Sequence, residues 1–329
     1  MPNQSKKVYT WGIQSSQICF MMINKLVTVG LLVFLLMSLQ LDANEKKIEV
    51  VRTVSAQSDT DTAHSYFTSL ISLALNLSEP KFGEAQLVVS SEPMTQGRWF
   101  RLLDGSAYLD VVWAGASISR DVDYRLIPVD LLGGILGIRA VIIRKSDRHK
   151  FLAIKTREDL KGLTACQGQH WPDTAILEAA QLSVLTVNKF ESNFLMLSKG
   201  RCDYFPRGIH EGYSEIEQYH MLNGNDLVIF DDFLITYPFN MWFYVDKDNN
   251  ALAERLTYGL EMAIANGSFL KLMQEHAVTS HLFPLKKWNN RTLIQLSNPL
   301  HRPTDGASSW WLLEKYPFYQ QLQWRGHNS

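Results

Sequence analysis

The sequence predicts an α/β protein of two lobes, each a mainly parallel sheet with flanking helices, joined by two crossover strands. Three observations predict it. Short β-branched or apolar runs alternate with amphipathic stretches over most of the chain, the order that places helices over a parallel sheet. That rhythm breaks and restarts at residues 129–145, and a second break follows at 234–248. A chain of 329 residues is also longer than one ordinary domain.

The elements follow in order. "IEVVRTVSA" (48–56) is β-branched and reads as a strand. The next stretch has helical spacing, with Tyr66, Leu70, Leu73 and Leu77 on one face and Thr60 or Asp61 expected as the cap. "AQLVVSS" (85–91) is a strand and "MTQGRWFRLLDGS" a short helix. "LDVVWAGA" (109–116) is a strand apolar on both faces. Glycines then precede the strand "RAVIIRK", the first crossing. The second lobe restarts with strand "LTACQGQ", helix "PDTAILEAAQL" and strand "SVLTVN". Helix "ESNFLMLSKG", strand "CDYFPRG", helix "IHEGYSEIEQYHM" and strand "DLVIFDD" complete it. "LITYPFNMWFYVDKD" is the return crossing, and the helix after it ends at Gly267. The expected boundaries are 44–143 for lobe 1, 144–235 for lobe 2 and 236–284 for the return to lobe 1. Residues 285–329 form a tail without periodicity, packed by aromatics or partly loose.

Residues 1–43 read as an upstream extension plus a signal peptide. Met22 looks like the natural start. Lys25 forms the basic region, an apolar run reaches about Leu39, and Ala43 is the small residue at the cut. The run is shorter than the roughly 20 residues of a membrane span. A periplasmic location follows, with retention as an uncut anchor the alternative. After cleavage Cys166 and Cys202 remain, either a disulfide or two buried thiols. In a doubly wound order the first and third strands of the second lobe are neighbours, which would bring these cysteines within bonding range.

The formal net charge is −1, with no basic run carrying interleaved aromatics, so nucleic acid is not an expected partner. "LLGGILGIR" precedes a strand rather than a helix, so it is no phosphate loop. No G-x-S-x-G elbow occurs, and the histidines lack metal-ligand spacing; His276 and His281 read as surface residues. No cofactor and no metal are expected. His210 and Glu211 could form an acid–base pair, but two polar residues opening a helix are ordinarily solvated. Strand ends are where open α/β sheets bind ligands. Those ends carry Trp113 and Ser117 in one lobe, and Gln169 to Thr174 and Arg207 in the other.

At these residues the chain resembles the periplasmic solute-binding proteins of the polar amino acid type, family 3, over roughly residues 48–280. "LDVVWAGASISRDVDYRLIPVDL" (109–131) is similar to the family's strand, polar loop, T-x-x-R and proline. "GIRAVIIRK" (137–145) places Arg139 where the family pattern carries its ligand arginine. "EDLKGLTACQGQHWPDTAIL" (158–177), "MLSKGRCDYF" (196–205) and "LTYGLEMAIANGSFLKLM" (256–273) match later segments in order. The resemblance implies a type II periplasmic-binding-protein-like fold and a monomer binding a small solute between its lobes. The partner it implies is an ABC transporter permease or a membrane sensor. It implies ligand contacts from Arg139, Ser117, Trp113, Gln169, Trp171, Asp173, Thr174 and Arg207, with Asp173 and Thr174 also capping their helix. The chain departs from the pattern in two places. "GQHWPDT" replaces the Gly-Ser/Thr pair, and Arg207 stands where an acidic residue usually meets a ligand amine. With Arg139 from one lobe and Arg207 from the other, an anionic ligand is expected. Two bland alternatives remain: Arg139 pairs with Asp130, or Arg207 turns back onto Glu211 or Glu215. An enzyme on the same scaffold, a hydro-lyase acting on a small carboxylic acid, is the rival reading.

Overall fold

The structure, a computed structural model, describes residues 48–329 except 58–60, 62, 106–107, 302–310, 316–319 and 323–329. The extension, signal peptide, Ala43 cut and Thr60 cap lie outside the described residues. Among those described, no helix is long and apolar enough to cross a membrane.

Lobe 1 opens with β1 (Glu49–Thr53), α1 (His64–Phe82), β2 (Ala85–Val89), α2 (Gln96–Leu103), β3 (Val112–Gly115), α3 (Ile118–Asp123) and β4 (Arg125–Leu126). Lobe 2 follows with β5 (Ile138–Arg144), α4 (Arg148–Leu152), α5 (Arg157–Leu160), β6 (Thr164–Gly168) and α6 (Pro172–Ala179). It continues through β7 (Ser183–Val187), α7 (Phe190–Ser198), β8 (Tyr204–Gly208), α8 (Gly212–Asn223) and β9 (Leu227–Thr236). The chain returns to lobe 1 through β10 (Met241–Val245), α9 (Asn250–Ala265) and α10 (Ser268–Glu275), and adds β11 (Thr292–Gln295).

In lobe 1, β1 pairs parallel with β2, and β3 lies antiparallel to β10. The Asp110 and Val111 amides donate to the Arg52 carbonyl at 2.9 and 3.1 Å, which carries β1 over to β3. The lobe 2 sheet runs β11-β9-β5-β8-β6-β7. The crossover strand β5 inserts antiparallel between β8 and β9, while β6 is parallel to both neighbours. The central strand β5 is buried along nearly its whole length and reads as an apolar run after Arg139, whereas the edge strand β7 exposes Ser183 and Thr186.

The two crossovers touch. The Tyr237 amide donates to the Gly137 carbonyl at 3.0 Å, and a Cβ at position 137 would collide with the Tyr237 carbonyl. Only glycine permits that approach. The Asp130 carboxylate fixes the same junction by accepting from the Leu132, Gly134 and Met241 amides and from Asn240 Nδ2. It therefore does not pair with Arg139.

One sequence expectation changes here. Asp231 and Asp232 read as a strand end, yet β9 continues through them to Thr236. The register slips where they bulge, between Arg139 and Val141 of β5, and Asp231 is held by Tyr213 and Arg291. The polar stretch after β5 forms α4 and α5, the latter begun by a Thr156–Asp159 capping box.

Cys166 and Cys202 form a disulfide, with α-carbons 5.7 Å apart. β6 and β8 are indeed neighbours, so the bond ties the strand entering the Trp171 loop to the strand that delivers Arg207. A chain separation of 36 residues makes the constraint on the unfolded state substantial. Replacing both cysteines with alanine is expected to cost about 2–4 kcal/mol in urea unfolding. A loss near zero would contradict the structural role.

Candidate functional site

A cavity of about 120 Å³ lies between the lobes. From lobe 1 come Gln57 and Asp61 after β1, Phe67 on α1, Gln96 and Trp99 on α2, and Trp113 to Gly115 on β3. From lobe 2 come Arg139, the Trp171–Asp173 start of α6, Phe190, Arg207, Glu211 and Glu215, while Phe239 projects from the second crossover. A groove of about 680 Å³ lies outside it, between α3 and α6. Trp171 and Pro172 line both spaces.

The predicted residues divide between these two spaces. Trp113, Arg139, Trp171, Asp173 and Arg207 line the cavity, whereas Ser117, Gln169, Trp171 and Thr174 line the groove. Ser117 caps α3 by accepting from the Arg120 amide. Asp173 and Thr174 do not cap α6, because Trp171 is its N-cap residue. Thr174 Oγ1 donates instead to the Gly168 carbonyl at 3.1 Å, and Asp173 turns to Arg139 and Tyr237. Pro172 in the first turn frees both side chains from the capping role. Asp61 is not the N-cap residue of α1, a position held by Ala63, but its carboxylate accepts from the backbone amide of His64, which opens the helix.

Arg139 and Arg207 face one cavity, but they do not come from opposite lobes. They stand on adjacent strands, with Arg139 opposite Gly208 and Ala140 opposite Arg207. The crossover strand belongs to the lobe 2 sheet, which sequence alone did not show. Nor are their donors free. Arg139 Nε donates to Tyr237 Oη at 3.0 Å, Nη2 meets Asp173 at 2.8 Å and Nη1 meets Glu211 at 3.4 Å. Tyr237 Oη in turn donates to Asp173 Oδ1 at 2.5 Å. Arg207 Nε and Nη2 grip Glu215 at 2.7 and 2.6 Å, and Nη2 also meets Glu211 at 3.0 Å. Its guanidinium lies 4.9 Å from the centre of the Trp171 ring, with Phe190 and Phe205 at 5.4 and 5.2 Å. Such a box suits a flat, weakly hydrated cation.

Two guanidiniums here face three carboxylates, with Asp61 a fourth across the cavity. The surplus of negative charge shows in their titration. Burial opposes ionisation of Glu211, but Arg207, His210 and Arg139 prevail and hold it well below the usual carboxylate range. Glu215 shares Arg207 with Glu211; burial and the Glu211 charge push it up to about 7. The two titrate as one unit. Asp61 is also raised, by burial first and by Glu211 among its neighbours. It accepts from the Gln57 amide at 3.0 Å, and no lysine or arginine among the described residues pairs with it.

His210 and Glu211 are not solvated as the sequence suggested: 1% and 8% exposed. The turn 208–212 packs inward because Glu211 Oε1 accepts from the Gly208 amide. The sequence reading passed over Asp61 and Tyr237 as ligand-site residues. It also passed over Arg120, although that residue stands in the quoted T-x-x-R-like segment. Arg120 donates to the Gly115 carbonyl at 2.8 Å and Gln96 Oε1 at 2.7 Å, both neutral acceptors at the cavity edge.

No protein-family model and no curated protein matches this chain. Solved structures do. An arginine-specific periplasmic binding protein of Salmonella typhimurium superposes with a TM-score of 0.50 at 16% identity, covering 69% of this chain and 99% of its own. The fold is that of the periplasmic binding proteins. An ancestral arginine-binding protein gives 0.51 at 18% identity, covering 71% and 100%. A histidine kinase sensor domain similar to periplasmic binding proteins gives 0.52 at 14%, covering 71% and 98%. The binding-protein fold thus accounts for these proteins almost whole, and the remainder of the present chain lies outside the match.

Proposed function

We propose that this protein captures a small polar solute carrying a cationic group in the cleft between its lobes. The setting would be the periplasm, in service of an ABC-type uptake system or a membrane sensor. The observation that carries this reading is the charge inventory of the cavity. Arg139 and Arg207 are consumed by Asp173, Glu211 and Glu215. Asp61, with His64 beside it but no lysine or arginine paired with it among the described residues, is left to meet an ammonium or guanidinium. Phe67, Trp99 and Trp113 line the same cavity with aromatic surface, of a kind that attracts cations. The expected anionic ligand required free arginine forks, and a further carboxylate here would join a surplus of them. Arg120 at the cavity edge could still take the carboxylate of an amino acid. Two of the structural relatives are named for arginine.

The hydro-lyase alternative relied on His210 and Glu211. Glu211, gripped by two guanidiniums and held ionised, is a weak base, and His210 is not among the cavity-lining residues. Binding without chemistry is the simpler use of this geometry.

Proton linkage tests the reading. Glu215, raised to about 7, is partly protonated near neutrality and must ionise to favour a cation. Affinity for a cationic solute should therefore rise with pH through about 7. Binding below that pH should release protons. Titration calorimetry with arginine, lysine and short diamines, in buffers of differing ionisation enthalpy, reads both effects. Proton uptake, or affinity that falls as pH rises, would contradict the cationic assignment.

A further inference from the structure

We propose that Phe239 determines which cations the cavity takes, admitting slender aliphatic ones and excluding those with an aryl ring. The proposal rests on the reading of the cavity as a cation site and adds selection by shape. Phe239 lies between β9 and β10 and is 2% exposed. It lines the cavity from the second crossover rather than from the body of either lobe.

The backbone delivers the ring to a fixed place. On one side the Pro238 carbonyl accepts from Asn298 Nδ2 at 2.8 Å. On the other the Asn240 carbonyl accepts from the Ala116 amide at 2.8 Å, and Asn240 Nδ2 donates to Asp130 at 2.8 Å. Gly137 of the first crossover packs against the same segment: a Cβ there would stand 3.3 Å from the Phe239 nitrogen. Ties on both sides hold a side chain to the precision that selection by shape needs.

The ring then spans from one lobe to the other. Its tip points at Gly115 of β3, where a Cβ would lie 2.4 Å from Cζ and 2.9 and 3.2 Å from the two Cε atoms. Gly115 does not adopt a left-handed backbone, so the close approach of the ring, not the turn of the chain, calls for glycine there. The ring occupies the room of the missing side chain. On the lobe 2 side the Arg139 guanidinium lies over it, 5.6 Å from its centre. Gly115 and Arg139 both line the cavity, so the ring is the wall between them. A buried ring packed at interior density yields to added bulk only with strain. Taking the ring away opens an apolar hole of the kind that binds benzene in other protein cores.

Titration calorimetry with arginine and putrescine, set against benzylamine and benzamidine, tests the assignment in the parent, Phe239→Ala and Phe239→Leu. The parent should bind at least one slender cation, and the aryl cations at least about tenfold more weakly. In Phe239→Ala the aryl cations should gain about tenfold or more over the parent, their ring filling the hole, while the slender ones gain nothing. Phe239→Leu keeps apolar bulk for the fold and should narrow the gap in the same direction. If Phe239→Ala fails to fold, Phe239→Leu decides alone. A ranking that neither variant changes overturns the proposal and leaves the cation reading standing. So does a parent that binds benzylamine as tightly as putrescine. A parent that binds none of these solutes overturns the cation reading, and the proposal with it.

Discussion

Replacing Arg207 with alanine is expected to destabilise the folded protein by about 3–5 kcal/mol, read from urea unfolding of the ligand-free chain. The guanidinium is buried and satisfies both oxygens of Glu215 and one of Glu211. Without it, two buried carboxylates face each other with only Arg139, 3.4 Å from Glu211, and His210, 3.3 Å from Glu211, to help. The loss of contacts with Trp171, Phe190 and Phe205 adds to the cost. A buried pair replaced as a unit by apolar groups is often neutral. Arg207→Met with Glu215→Met should therefore recover most of the loss, though Glu211 keeps a reduced set of partners. A single-variant cost below about 1 kcal/mol would place Arg207 in solvent-like surroundings, contrary to the structure.

The second large effect falls on binding. Asp61→Asn should weaken capture of a cationic solute by about 2–5 kcal/mol, the cost of truncating one partner of a buried charged contact. The same change should leave thermal stability unchanged or raise it. Burial and the Glu211 charge raise the pKa of Asp61, so its ionised form is disfavoured in the folded protein. A melting temperature that falls with affinity would point to a folding role. If the Asp61→Asn variant binds as tightly as the parent, Asp61 is no part of the site.

The fold was legible because its signals are local. Val112 to Gly115, buried on both faces, announced a central strand, and the restarts at the crossings announced two lobes. The disulfide was legible as one of two alternatives, since strand order puts β6 beside β8. The site was legible only as a set of loop ends. Asp61 and Glu215 line one cavity from positions well over a hundred residues apart, and no spacing rule links them. Arg139 read as a free clamp because its partners, Asp173 and Tyr237, come from α6 and the second crossover. β11 gave no period at all; the open edge of β9 makes it a strand.

The central claim, that the cleft holds a cation-bearing solute, is tested most directly by the melting temperature of the parent protein. It should be measured with arginine, lysine, short diamines or succinate at the same ionic strength. A ligand at a hundredfold excess over its dissociation constant stabilises by about 2.7 kcal/mol. At least one cationic solute should raise the transition, and succinate should leave it where it was. Stabilisation by succinate, with none from the cationic solutes, would contradict the account.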